Sequence, residues 1–377
     1  MTASIILQLL VGAKLLPLDM TKKEDRERFQ ILQKILSIVF CFLEGFAYVA
    51  FGVVQLAQPT FSNILIVTLQ LAIGGFIILL MDEVISKWGI GSGISLFIAA
   101  GVSKSIFIKL FSPFTLGEEY PLGLLLQAIL GIIRNELEVA VDALLPIIFT
   151  IIVFLVVVYA QGIEVQIPLA FGGLSGFGKR WPLKFIYTSN IPVILTSALF
   201  ANLMLAGSMF AAKGITILGN FDENNNPISG ILYYISPPPN LVRSIIHGSF
   251  TIDMILRGIF YTIFTCVFAV IFSVLWVQTS GMDAKSVAEQ IQSIGMQIPG
   301  FRRDPRIVEE VLARYINPLA VMGGLFVGLL AAFAELTGAI GSGTGILLTV
   351  MIIYNFYEQI SLRYMEEMHP ILRGFFE

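Results

Sequence analysis

Glu44 is a lone carboxylate inside an apolar stretch, SIVFCFLEGFAYVAF. An ionisable group at such a place costs roughly 2.5–3.5 kcal/mol or more unless it meets a partner or a wet cavity, which makes it a functional candidate. A plain hydrogen bond between helices is the structural alternative. Asn202, in the middle of TSNIPVILTSALFANLM, has the chemistry of a partner. Other kinds of chemistry lack their residues. No Ser/His/Asp set, HExxH or paired intramembrane carboxylate is present, so neither catalysis nor proton-coupled pumping is expected. His247 and His369 are isolated, and no Cys/His cluster has metal-ligand spacing. Cys41 and Cys266 lie in apolar runs and read as small hydrophobes. Glycines cluster at 89, 91 and 93 and again at 341, 343 and 345, without the Lys-Ser/Thr of a phosphate-binding loop. They suit helix starts at a membrane face and close packing of helices. Ile94 and Ile98, spaced i, i+4, share one helix face and on periodicity alone are core or lipid-facing.

The elements that must position these residues are membrane spans. Hydrophobic residues make up 56% of the 377 and charged residues 13%, too apolar for a soluble chain of this length. Runs of the length needed to cross a bilayer place spans at 35–54, 64–81, 92–111, 143–161, 188–210, 257–278, 316–334 and 338–358. The intervening segments 13–34, 82–91, 162–187 and 279–315, with the tail from 359, hold 17 of the 23 basic residues. By the positive-inside rule these face the cytoplasm. Lys104 and Lys109 lie in the outward half of their span and can snorkel to headgroups.

Residues 1–13 are apolar but too few to span, and no basic stretch precedes them as in a signal peptide. They read as the cytoplasmic half of a span whose outer half is missing. Segment 113–142 contains LGLLLQAILGII, too short to cross, and predicts an interfacial helix on the outer side. Segment 211–253 is rich in turn residues and is also placed outside. The basic segments 162–187 and 279–315 are expected to protrude into the cytoplasm.

GIGSGISLFIAAGVSKSIF (89–107), EVQIPLAFGG (164–173), TSNIPVILTSALFAN (188–202), IPGFRRDP (298–305) and GSGTGILLTVMIIYNFYEQI (341–360) occur in one order. With them the chain resembles the SecY family, the channel subunit of the protein-conducting translocon, and looks closest to its archaeal branch. The resemblance implies an all-α, polytopic membrane bundle with an inverted repeat of spans. It divides the chain into 1–112 (the remainder of an N-terminal half), an outer hinge loop 113–142, and a C-terminal half 143–377. On this mapping Met1 falls within the second family span, and the first span and plug have no counterpart.

The family's aliphatic pore ring maps onto Met1, Ile94, Ile98, Ile194 and Leu348. Its polar lateral-gate cluster maps onto Thr2, Glu44 and Asn202, which supplies Glu44 with partners. Its ribosome-docking loops map onto Lys179, Arg180 and Lys184 in one loop and Arg302, Arg303 and Arg306 in the other. Basic side chains there suit rRNA phosphate. Implied partners are SecE-like and Sec-beta-like small subunits, the ribosome, signal peptides, nascent chains and membrane lipid, in the plasma membrane and with no cofactor. The function implied is passage of unfolded polypeptide across the membrane, with lateral release of apolar segments. A secondary transporter is the rival class, and it would want more coupling carboxylates than these spans hold. An inactive fragment is a third.

Overall fold

The computed structural model describes all residues except 1, 13–14, 19–21, 52, 55, 57, 59, 116–119, 172–177, 213, 215, 223–225, 239–240, 294–295, 298–304, 342 and 368–377. Helices form where the apolar runs predict them. In order they are α1 (Thr2–Gly12), α2 (Lys23–Ala50), α3 (Phe61–Trp88), α4 (Gly93–Phe111), α5 (Leu124–Ile133) and α6 (Leu137–Gln161). Strands β1 (Glu164–Phe171) and β2 (Gly178–Lys184) follow, then α7 (Ile191–Ala212), α8 (Ile231–Ile235), α9 (Leu241–Ile246), α10 (Ile252–Thr279) and α11 (Ala284–Ser293). A short β3 (Met296–Gln297), α12 (Pro305–Leu336) and α13 (Gly343–Glu367) complete the chain.

Among the described residues, 7 helices are long and apolar enough to cross a membrane. The eighth expected span, α13, has 25 residues, but Asn355, Glu358 and Gln359 dilute its second half. The short helix expected in 113–142 is α5. Helix α2 starts well before its apolar run, with Glu24 and Asp25 in the first turn, where acids complement the helix dipole.

The helices group into two packed units, 1–72 with 159–333 and 73–158 with 334–377. In the first, α1 lies against α2, α7 and α10. Phe272 of α10, with no exposed surface, packs with Ile5 and Leu195. Glycines let α12 approach α10 closely: a Cβ on Gly324 would stand 2.8 Å from Ser273 Cβ, and one on Gly328 2.9 Å from Ala269 Cβ. Small residues at such crossings are how helices associate in lipid, where no hydrophobic force separates protein from solvent. Ser273 Oγ donates to Ala320 O at 2.6 Å and accepts from Thr188 Oγ1 at 2.9 Å, so one buried hydroxyl joins three segments. Arg257 of α10 sits 4.0 Å from the centre of the Tyr233 ring and donates to Ser236 Oγ. That contact fastens α8 to α10.

The two long basic segments are not simple loops. β1 pairs antiparallel with β2, Glu164 opposite Lys184 and Ile167 opposite Trp181. On its other edge β1 pairs with β3, Ala170 opposite Gln297 and Phe171 opposite Met296. The sheet order β2-β1-β3 thus joins segment 162–187 to segment 279–315. Alternation puts Ile167 and Leu183 on one face, where they pack with Val287 and Ile291 of α11 and with Val308, Leu312 and Ile316 of α12. In the second unit, α4 packs against α13 and α5.

Candidate functional site

The polar cluster is built on three helices of the first unit. Thr2 opens α1, Glu44 lies in the C-terminal half of α2, and Asn202 is central in α7. Asn202 Nδ2 donates to Thr2 Oγ1 at 3.1 Å and to Ala198 O, one turn earlier, at 2.8 Å. The structure therefore brings Thr2 and Asn202 together. Among the described residues no hydrogen bond joins Glu44 to either of them, and Glu44 Oε1 is buried without a partner. A buried acceptor left unsatisfied costs about 1–3 kcal/mol, and more when charged. The α2 backbone around it is held close to α3, since a Cβ on Gly45 would stand 3.5 Å from Thr68 O.

Two buried polar features of the first unit are not singled out by the sequence. Gln8 of α1 is 1% exposed, with its Oε1 also unpartnered. Its Nε2 reaches Ser4 Oγ at 3.4 Å. The available signal is a Gln in an otherwise apolar segment, masked by the shortness of that N-terminal run. The second is the Thr188–Ser273 pair, whose partners are distant in sequence.

The aliphatic set falls in two places. Ile94 and Ile98 lie on α4 and Leu348 on α13, a helix packed against α4 in the second unit. Ile94 and Ile98 are half-buried and Leu348 is buried. Ile194 is buried in the first turn of α7, in the first unit. Met1 lies outside the described residues. The four described members are uncharged and branched. Such groups can narrow an aqueous path without offering any ion a ligand.

Of the basic set, Lys179, Arg180 and Lys184 lie on β2, opposite Leu169, Pro168 and Glu164 of β1. Arg306 is exposed in the first turn of α12. Arg302 and Arg303 lie outside the described residues. Beneath this region Tyr187 donates its hydroxyl to Met282 O at 2.8 Å, tying the approach to α7 to the turn before α11. Burial, and then the nearby Asp283 carboxylate, push the Tyr187 phenol up to about 12.

The family model described as SecY matches residues 1–357. A protein translocase subunit SecY from Methanococcus vannielii is 45% identical over 374 residues, covering 99% of this chain and 81% of that protein. The fold matches a solved protein-conducting channel with a TM-score of 0.83 at 44% identity, over 98% of this chain and 81% of the other. It also matches Sec61 from a canine ribosome-channel complex of the endoplasmic reticulum, with a TM-score of 0.79 at 44% identity, over 98% and 81% of the two chains.

Proposed function

From the premise that this chain belongs to the SecY family, we propose that its polar cluster and its aliphatic set are the lateral gate and the constriction of a polypeptide channel. The chain is a multi-pass membrane protein and a protein translocase subunit of the channel type. It carries unfolded polypeptide through the membrane and releases apolar segments sideways into lipid, while a partner supplies the driving energy. The two halves, 1–112 and 143–377, act as jaws joined by the outer loop 113–142. Ile94, Ile98, Ile194 and Leu348, with Met1, form the collar. An apolar collar dewets at rest and yields around a moving chain without binding it. The basic loops and the C-terminus face the cytoplasm of a plasma membrane, with the ribosome and SecE-like and Sec-beta-like small subunits as partners.

The observation that carries the gate is the hydrogen bond from Asn202 to Thr2, which links α7 to α1, together with the buried, unpartnered Oε1 of Glu44 on the neighbouring α2. A stranded carboxylate is costly, yet apolar packing of similar volume can replace it with little loss. Glu44→Leu and Asn202→Leu should therefore shift the hydrophobicity at which a test segment enters lipid, without preventing folding. Graded Leu/Ala segments scored for integration against translocation read this out. A threshold that stays in place for both variants, at normal expression, removes the gate assignment.

A further inference from the structure

Asp82 and Glu335 each close onto the start of a helix. Asp82 Oδ1 accepts from the backbone N–H of Ile94 at 2.9 Å and from Ser92 Oγ at 3.2 Å. Glu335 Oε2 accepts from the backbone N–H of Thr344 at 3.3 Å. Ile94 and Thr344 are the second residues of α4 and α13. Free N–H groups at a helix start, with the positive end of the dipole, favour a carboxylate there. Both starts follow the same tetrapeptide, Ile-Gly-Ser-Gly, at 90–93 and at 340–343. Its first glycine has φ of 72° at Gly91 and 86° at Gly341, a conformation that side chains with a Cβ rarely adopt.

The two turns also make matching contacts. A Cβ on Gly91 would stand 2.7 Å from Phe356 Cε1 of α13, and one on Gly341 would stand 3.0 Å from Ile106 Cγ1 of α4. Ile106 lies as far along the chain from Gly91 as Phe356 lies from Gly341. The helices therefore run antiparallel, and one constant shift in numbering carries each turn, and its contact, into the other. That is a local two-fold. Its axis crosses α4 halfway between Gly91 and Ile106, and α13 halfway between Gly341 and Phe356. Ile98 and Leu348, related by the same shift, stand at that level.

We infer that Asp82 and Glu335 are a matched pair of positioning residues: by anchoring the starts of α4 and α13, they hold Ile98 and Leu348 level and keep the resting channel closed to ions. The inference rests on the assignment of Ile98 and Leu348 to the constriction. Sliding a helix by one residue moves its side chains by ~1.5 Å along the axis and turns them by ~100°, enough to carry an isoleucine out of a collar.

The test uses the channel complex purified from cells producing this chain and reconstituted in vesicles holding a potassium gradient. Asp82→Ala and Glu335→Ala should each raise the resting leak several-fold, and the double variant more than either. Asp82→Asn and Glu335→Gln, which keep an oxygen acceptor, should restore most of the seal. Amide exchange should rise at Ile94 and Thr344 in the alanine variants. If both alanine variants seal like the parent while Ile98→Gly or Leu348→Gly leaks, the positioning role is overturned and the collar stands. If neither glycine variant leaks, the collar assignment falls and takes the inference with it. Should the alanine variants fail to reach the membrane, the Asn and Gln variants decide: a sealed channel with protection at Ile94 and Thr344 close to the parent's is expected, and either a leak at unchanged protection or raised exchange without a leak overturns the proposal.

Discussion

A single phenol shows how burial sets chemistry at the residue scale. Tyr187 keeps its proton because ionisation would place a charge in a poorly solvated site beside Asp283, and its hydroxyl donates to Met282 O. Its folded pKa of about 12 stands above the ordinary 10.0, so the folded chain holds this proton more tightly than the unfolded chain does. The stability it contributes is complete below the lower value and is lost as pH rises through the higher one. Tyr187→Phe should cost about 1 kcal/mol at neutral pH, the worth of one hydrogen bond. It should also flatten the alkaline loss between pH 10 and pH 12. Thermal unfolding in detergent across that range checks both, and an unchanged alkaline limb would assign that loss to other groups. Glu44 is the contrasting case: its position in the apolar run is legible, whereas the absence of a hydrogen bond to Oε1 is not, because that depends on where α1 and α7 place Thr2 and Asn202.

At the scale of elements, the sheet gives the two basic segments one support. β1 lies in the middle, so Lys179 and Arg180 on β2 share a platform with the strand that precedes 298–304. Charge reversal at Arg302 and Arg303 should weaken ribosome binding most at low salt and lower the salt slope by about one for each phosphate left unneutralised. Binding titrations over a salt series measure both. An unchanged affinity and slope would mean that these arginines set topology alone. The spans are readable because ~20 apolar residues have one physical use in a chain of this composition. The strands are harder to read, although Val165, Ile167, Leu169 and Phe171 alternate with Gln166, Pro168 and Ala170. Charge and glycine content give these segments the composition of loops, and β3, at 2 residues, is too short to leave a period. The repeated Ile-Gly-Ser-Gly is visible as two glycine clusters, but its equivalence needs the carboxylates that cap it, and these come from preceding helices.

For the whole molecule, the charge pattern predicts a direction. Cysteines placed at Asp222 and Asn225 should label from outside intact cells, and those at Gly178 and Pro305 only after permeabilisation. Labelling at Pro305 from outside would invert the orientation and with it the docking assignment. That assignment gives α12 a further consequence. Its 32 residues extend about 48 Å, against a hydrocarbon core of ~30 Å. The surplus lies at the end packed beneath the sheet through Val308, Leu312 and Ile316. Farther along, Gly323, Gly324 and Gly328 fit closely against Phe185 O, Ser273 and Ala269. Between the two stretches sits Pro318, whose ring takes the place of a backbone N–H and leaves the Arg314 carbonyl without its helical donor. Should the basic loops dock a partner as proposed, α12 would work as a lever with its fulcrum at Pro318, turning a load on the sheet into torque on the buried arm near the Ser273–Ala320 hydrogen bond.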